Sequence, residues 1–140
     1  MDLKIEIPST LNEQDVATLK EMGDRYFYNL VPPENPRPVC VFLRDENQKL
    51  IGGLLGTTRW NTLHIDYLWI DEQFRGSGYG KMLVEAAENK SKEMGCRFAA
   101  VGTFEALNAR LFYEKLNYKI VSVSTDSPIG HTGYWFNKSY

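Results

Sequence analysis

An arginine followed by three glycines at alternate positions, with a helix-like segment directly behind them, is the part of the chain that most clearly suggests chemistry. The stretch reads RGSGYGKMLVEAAE and begins at Arg75. A helix N-terminus presents unpaired backbone N–H groups at its positive end, and glycines let an anion approach the main chain closely. Arg75 adds a planar guanidinium that is always charged. The stretch therefore predicts a phosphate-binding loop.

Two common nucleotide-binding motifs do not fit this stretch. A P-loop needs G-x-x-x-x-G-K-[ST], but only three residues separate Gly76 from Gly80, and Met82 follows Lys81, which leaves no hydroxyl for magnesium. A Rossmann fingerprint needs G-x-G-x-x-G, whereas GSGYG reads G-x-G-x-G and follows a predicted strand meander. Both nucleotide interpretations are therefore excluded.

A second set of candidate groups lies in the strand-like segment LHIDYLWI, residues 63–70. Alternation along a strand predicts that four of its side chains share one face: His64, Asp66, Leu68 and Ile70. His64 has the better intrinsic pKa for a general base, ~6.5 against ~3.9 for an aspartate. The alternative is a half-exposed histidine hydrogen-bonded to Asp66, and Glu105 and His131 are further candidates for the base.

Hydrophobic periodicity predicts the elements that must position these residues. Strands are expected at LKIEI, on both sides of the polar turn at residues 45–49, at residues 63–70, and at FAAVGTF, KIVSVS and GYWFNKSY. Helices are expected over STLNEQDVATLKEMGDRYFYNL, with Thr10 and Asn12 as cap candidates, behind the glycine loop, and over ALNARLFYEKLNY. This order predicts an α+β fold, a mixed central sheet of six to seven strands flanked by helices on both faces.

Composition and charge limit the number of domains and the classes of partner that we expect. The chain has 140 residues, 43% of them hydrophobic and 24% charged, with a formal net charge of -2, which predicts one domain over residues 1–140. Scattered basic residues and the absence of an apolar run of ~20 residues exclude nucleic-acid and membrane partners from our expectations. MDLKIEIPST lacks a signal-peptide pattern, which favours a cytoplasmic protein. Cys40 and Cys96 lie outside any CxxC spacing, so we expect two buried, reduced thiols and no metal site.

Two segments in sequence carry a recognisable combination of motifs. LWIDEQFRGSGYGKML contains R-x-x-G-x-G at Arg75, Gly78 and Gly80, and NARLFYEKLNYK follows after a predicted helix and strand. Together they resemble the GCN5-related N-acetyltransferases, the GNAT family, whose second segment reads N-x-x-x-x-F-Y-x-K-x-G-F. Asn117 stands where the family commonly has glycine, and asparagine tolerates the left-handed backbone of that turn. The resemblance covers essentially the whole chain.

The resemblance implies acetyl-CoA as co-substrate, without a metal. It implies that the loop binds the pyrophosphate, through Arg75, Gly76, Ser77, Gly78, Tyr79, Gly80 and Lys81. It also implies that the pantetheine arm lies beside the third meander strand near Leu68 and Ile70, with Asn108 as an amide partner unless this residue only caps a helix. Tyr113 corresponds to the tyrosine that approaches the sulfur and protonates the leaving thiolate, the alternative being a packing role beside Phe112.

Expectations for the acceptor follow from the same resemblance. In relatives the first helix, the loop after it and the last hairpin wall the acceptor site, which implies five candidates: Tyr26, Tyr28, Trp60, His131 and Tyr134. We expect acetyl transfer to a primary amine, by default of a small molecule, through direct attack in a ternary complex, because no cysteine lies near the inferred thioester. His64 and Asp66 are the candidate bases unless a water chain takes the proton. The alternatives are a non-catalytic acyl-CoA sensor and a protein or peptide acetyltransferase, and a homodimer is a candidate assembly.

Overall fold

The computed structural model describes residues 1–140, which divide into two compact units, Met1–Pro33 and Glu34–Tyr140. The first unit contains one helix, α1 (Glu13–Phe27). Its N-cap is Asn12, as predicted, because the Asn12 side chain accepts hydrogen bonds from the backbone N–H groups of Gln14 at 2.9 Å and Asp15 at 3.2 Å. The single domain over residues 1–140 stays a prediction.

The predicted N-terminal strand LKIEI is wrong. Residues 1–8 have no regular secondary structure, and none of the five strand ladders includes them. Alternation of apolar and polar residues is a pattern of side chains, whereas a strand persists only where a neighbour takes up its backbone hydrogen bonds. The sheet therefore has six strands.

The second unit is built on one mixed sheet, which confirms the predicted α+β fold class. The strands are β1 (Arg37–Arg44), β2 (Leu50–Arg59), β3 (Thr62–Ile70), β4 (Phe98–Phe104), β5 (Lys119–Thr125) and β6 (Thr132–Ser139), in the spatial order β1-β2-β3-β4-β6-β5. Only β3 and β4 pair in parallel, as a crossover through a helix requires. That helix is α2 (Tyr79–Glu93), and a short helix, α3 (Arg110–Lys115), follows β4.

The hydrophobic core lies on one face of this sheet, here called the core face, where α2 and α3 add their apolar side chains. Leu54 and Leu63 from the strands pack in one cluster with Val84 from α2, and all three are fully buried. Burial of each such side chain contributes about 1.5–3 kcal/mol. The opposite side is here called the open face, because several large side chains on it are exposed. None of the helices combines the length and apolar character that a membrane span requires.

A buried carboxylate on α2 is a feature that the sequence reasoning missed. Glu88 lies on the buried stripe of α2, where its carboxylate accepts a hydrogen bond from the Tyr118 hydroxyl at 2.6 Å. The Lys138 ammonium donates to both carboxylate oxygens, at 2.9 and 3.0 Å. A buried charge is tolerated only when it is paired and hydrogen-bonded in this way. The network ties α2 to the strands at the far side of the sheet from β1.

Candidate functional site

The predicted glycine turn in front of α2 is present. α2 begins at Tyr79, and its N-cap Gly78 has a left-handed backbone with φ of 88°. Gly76 has φ of 81°, and a Cβ placed at either glycine would meet nothing within 4 Å. No side chain caps the helix. The N–H groups of the first turn therefore face open space with the positive end of the helix dipole behind them.

The structure gives a different reason for glycine at position 80 from the one that the sequence suggested. A Cβ at Gly80 would lie 3.2 Å from an atom of the Phe112 ring. This distance is tighter than a normal van der Waals contact, so the missing side chain lets α2 approach the neighbouring α3. Of the three glycines, Gly76 and Gly78 are required by the turn, and Gly80 is required by helix packing.

Arg75 connects the glycine turn to the end of β3. Its Nε donates a hydrogen bond to the Ile70 carbonyl at 2.6 Å, and its guanidinium carbon lies 5.8 Å from the centroid of the Trp69 ring. Stacking of a guanidinium on an aromatic face is a favourable cation–π contact. Arg75, which was expected to bind the ligand, therefore also holds the turn against the end of β3.

The predicted face assignment in β3 is wrong because the strand contains a bulge. Leu55 of β2 pairs with Tyr67, whereas the next residue, Gly56, pairs with Ile65. Asp66 is thus the extra residue of a β-bulge, and a bulge reverses the alternation that follows it. Leu68 and Ile70 pack against the core, on the same side as the buried Leu63 and Ile65. His64, Tyr67 and Trp69 lie on the open face.

The bulge coincides with a gap between β3 and β4. Their parallel ladder ends at the pair Ile65 and Val101, although both strands continue beyond it. The Asp71 N–H donates to the Ile51 carbonyl of β2 at 2.8 Å. Because backbone groups alternate in direction along a strand, those of Leu68 and Ile70 turn away from β2 toward the gap. The Ile70 carbonyl accordingly reaches Arg75.

Tyr113 lies on α3 at the edge of the core. Its side chain is 5% exposed, and its ring centroid lies 5.0 Å from that of Phe112 and 5.7 Å from those of Tyr118 and Phe136. No buried side-chain oxygen or nitrogen lacks a partner, yet the Tyr113 hydroxyl has no partner within the protein, so it reaches the accessible boundary. Burial raises the pKa of Tyr113 to about 12. The residue is therefore a packed ring with a protonated, unengaged hydroxyl.

His64 and Asp66 do not bond to each other, which removes the simplest structural role for His64. The Asp66 carboxylate instead accepts a hydrogen bond from the Thr57 hydroxyl at 2.9 Å. His64 is half-buried, and its pKa lies below the usual value, chiefly through desolvation and then through the charge of Arg59, while Asp66 and Glu34 oppose the shift. His64 is therefore neutral at pH 7, which is the form that accepts a proton.

Asn108 is not the N-cap of α3. Its backbone is left-handed, with φ of 55°, and ends a short 3₁₀ turn, whereas Ala109 is the N-cap of α3. The Asn108 side chain is exposed, and it lies between the end of β4 and the helix that carries Tyr113. The amide is thus available to a ligand, as the resemblance implies.

The five residues that were proposed to contact the acceptor lie in different parts of the structure. Tyr134 is buried on the core face, with the Arg110 guanidinium over its ring, because β6 alternates and Tyr134 shares a face with Phe136. Trp60 lies at the β2–β3 turn, about 17 Å along β3 from Tyr67. His131 lies in the β5–β6 loop, which meets the end of β4. Tyr26 and Tyr28 belong to the first unit, where Tyr26 lies in α1 and Tyr28 caps it, and their role stays a prediction.

Trp135 and Gly102 are the open-face residues that the sequence reasoning missed. They are direct partners in the β4–β6 ladder. A Cβ at Gly102 would lie 2.6, 2.8 and 3.0 Å from three adjacent atoms of the Trp135 ring, so the indole lies over the glycine backbone. The period of two in β6 was a usable signal, because once Phe136 is placed in the core, Trp135 must face outward.

Together these elements form one region at the carboxyl ends of β3 and β4. Arg75 joins the glycine turn to the end of β3, Tyr113 shares a packed cluster with Leu68 and Ile70, and Asn108 follows β4. His64 and Asp66 lie on the open face of β3. No group of three or more histidine, cysteine, aspartate or glutamate side chains is placed to hold a metal ion. Main-chain donors at a helix N-terminus beside a free strand edge can hold an elongated ligand that carries phosphates.

Comparison with known proteins finds that the chain is similar to acetyltransferases. The profile of the Acetyltransferase (GNAT) family matches residues 7–118. Blasticidin-S acetyltransferase of Streptomyces morookaense is 35% identical over 107 residues, which are 74% of this chain and 78% of that protein. The crystal structure of an acetyltransferase from Bacillus cereus ATCC 14579 superposes with a TM-score of 0.86 at 30% identity, covering 96% of this chain and 98% of that one. A Bacillus anthracis acetyltransferase solved with acetyl coenzyme A has a TM-score of 0.67 at 19% identity, over 74% of this chain and 63% of that one.

Proposed function

The chain belongs to the GNAT family of acetyltransferases, and from this premise we propose that it transfers the acetyl group of acetyl-CoA to a primary amine of a small molecule. It is an N-acetyltransferase. The observation that carries the proposal is the pairing of an uncapped helix N-terminus at Gly78 with a free strand edge on β3. The named acceptor of the Streptomyces relative supports a small molecule as the acceptor class.

The residues around the gap fit acetyl-CoA. A Cβ at Gly76 or Gly78 would project into the open space in front of the helix, which is where a diphosphate would accept hydrogen bonds from main-chain N–H groups. The backbone groups of Leu68 and the N–H of Ile70 would pair with the amides of the pantetheine arm, whereas the Ile70 carbonyl already accepts from Arg75. Asn108 offers a further amide, and Arg75 has two terminal nitrogens beyond the one that bonds Ile70.

Bound acetyl-CoA would supply an activated acetyl thioester, and side chains and backbone groups of this chain would remove the proton and stabilise the developing charge. The amine nitrogen forms a bond to the acetyl carbon while the bond from that carbon to sulfur breaks. His64, neutral at pH 7, takes the proton that the ammonium must lose before the neutral amine attacks, directly or through water, with Asp66 as the second candidate. A β3 N–H that faces the gap donates to the acetyl oxygen as negative charge develops on it.

In the proposed reaction, Tyr113 interacts with the departing sulfur. Its pKa of about 12 keeps the hydroxyl protonated at neutral pH, so it donates a hydrogen bond to the thiolate as the charge appears. An exposed thiol has a pKa of ~8.5, and complete proton transfer becomes favourable only where the same burial raises the pKa of that thiol. The primary role that we assign to Tyr113 is therefore donation to sulfur.

A covalent acetyl-cysteine does not enter the proposed reaction. Cys40 is exposed on β1, so the prediction of a buried thiol is wrong for this residue. It lies two strands from Tyr67 and thus about 10 Å away by strand spacing. Cys96 is buried before β4, and desolvation raises its thiol pKa, which opposes the thiolate form. Direct attack in a ternary complex is therefore favoured.

The test is incubation of the protein with acetyl-CoA and a panel of small primary amines, with release of free thiol as the signal. We expect thiol release that depends on the amine, together with an acetylated amine by mass spectrometry. Lysine-containing peptides in the same panel examine the protein-acetyltransferase alternative. Tight acetyl-CoA binding without thiol release from any amine would support a sensor and count against the proposal.

A further inference from the structure

Two exposed aromatic side chains flank the gap on the open face. Trp135 is 56% exposed although its ring lies over Gly102. Tyr67 is 70% exposed. The parallel register ends at Ile65 and Val101, so beyond it the open face carries Asp66 and Tyr67 on β3 and Gly102 on β4. Large exposed aromatic side chains gathered at one place indicate a binding surface.

Gly102 makes the Trp135 ring a flat platform. Any side chain at Gly102 would enter the ring, because even a Cβ would approach it to 2.6 Å. One face of the indole is thus applied to the β4 backbone, and the other face is left for a ligand. Trp69 is less suited to the same role, because the Arg75 guanidinium already lies 5.8 Å from the centroid of its ring.

A fixed carboxylate lies on β3, across the gap from this platform. The bulge residue Asp66 turns its side chain to the open face, where one carboxylate oxygen, Oδ2, accepts the Thr57 hydroxyl at 2.9 Å. The second oxygen is free to accept from an ammonium, and a negative charge attracts the cationic form of an amine. Aromatic faces favour both planar rings and cations.

We propose that the acceptor is an amine that carries a planar unsaturated ring, stacked on the Trp135 indole opposite Tyr67, with its amine drawn toward Asp66. This inference rests on the proposed function and adds to it the class of acceptor. A saturated ring of the same size has no π-face and is thicker, so it gains less from the platform. Recognition therefore depends on the planarity of the acceptor as well as on its amine.

The experiment compares benzylamine with cyclohexylmethylamine, each at equal concentration of neutral amine. We expect the wild-type kcat/KM to favour benzylamine by about tenfold or more, which is the scale of one base–aromatic stacking contact. In Trp135→Leu the preference falls to about twofold. Gly102→Ala, which keeps the indole but displaces it, has the same effect. Phe98→Leu, an exposed aromatic at the other end of β4, leaves the preference unchanged.

A binding measurement without acetyl-CoA separates this inference from the proposed function. Saturation-transfer NMR is expected to mark the ring protons of benzylamine in the wild type and not in Trp135→Leu. Ring binding at Trp135 without any acetyl transfer would defeat the proposed function and confirm only that Trp135 forms a ring-binding surface. Acetyl transfer with equal kcat/KM for the two amines, or a preference that survives both substitutions, would overturn this inference. So would a change of oligomeric state in Trp135→Leu by light scattering, because the platform would then be a subunit interface.

Discussion

At the scale of single residues, two neighbouring tyrosines show how similar burial serves different purposes. Tyr113 and Tyr118 are both buried, and their rings meet edge to face at 5.7 Å. The Tyr118 hydroxyl donates to the buried Glu88 carboxylate at 2.6 Å, whereas the Tyr113 hydroxyl has no partner in the protein. A buried hydrogen bond stabilises a fold, and an unengaged hydroxyl at an accessible boundary is available for chemistry.

Replacement of the Tyr113 hydroxyl should lower activity without affecting stability. In Tyr113→Phe we expect kcat to fall by about 10²-fold or more, with acetyl-CoA affinity and the urea midpoint unchanged, because no intramolecular hydrogen bond is lost. The measurements are steady-state kinetics, calorimetric titration of acetyl-CoA and urea denaturation.

Tyr118→Phe is the matched control for this substitution. It removes a hydroxyl from the same aromatic cluster but leaves Glu88 short of a donor, so it should cost about 1–3 kcal/mol of stability and retain most of kcat. If Tyr113→Phe keeps full kcat, or if the two variants lose kcat equally, Tyr113 has only a packing role.

At the scale of elements, β3 and α2 show what periodicity in a sequence can and cannot predict. Strand ends, the turn before α2 and the strand FAAVGTF agree with the sequence-based predictions. The bulge at Asp66 was not predictable, because an extra residue in one strand is defined only by its register with the partner strand. It moved Leu68 and Ile70 to the core and brought Tyr67 and Trp69 to the open face.

Glu88 gives a prediction for α2. Glu88→Gln should destabilise the fold by about 3 kcal/mol, because it removes the charge that compensates the Lys138 ammonium, whose side chain is only 19% exposed. Glu93→Gln on the same helix is the control, since the Glu93 side chain is 71% exposed and should cost less than about 0.5 kcal/mol. Urea denaturation of both variants makes the comparison. Equal costs would mean that the Glu88 network does not stabilise the fold.

At the scale of the whole molecule, the two faces of the sheet have different roles. The core face with α2 and α3 fixes the second unit, while the gap between β3 and β4 and the adjoining open face hold the groups proposed for chemistry. A local motif predicted the glycine loop, and the family resemblance implied Tyr113, whereas His64 was proposed as a base from its intrinsic pKa and from a strand alternation that the bulge interrupts. Alternation in β6 could have indicated that Tyr134 and Trp135 lie on opposite faces, but the platform of Gly102 and Trp135 depends on which strands are neighbours.

The central claim is that the main-chain turn before α2 binds the diphosphate of acetyl-CoA, and two glycines at opposite ends of α2 test it. Gly78 and Gly95 both have left-handed backbones, with φ of 88° and 93°, and open space where a Cβ would lie. Valine at either position should therefore impose similar strain, of about 1–2 kcal/mol. Only valine at position 78 would project into the proposed path of the diphosphate.

The decisive measurement is calorimetric titration of acetyl-CoA into the wild type, Gly78→Val and Gly95→Val, each verified as folded by circular dichroism. We predict that Gly78→Val raises the dissociation constant by at least about tenfold, equivalent to about 1.4 kcal/mol, while Gly95→Val binds acetyl-CoA as the wild type does. Unchanged affinity in folded Gly78→Val, or an equal loss in both variants, would contradict the account.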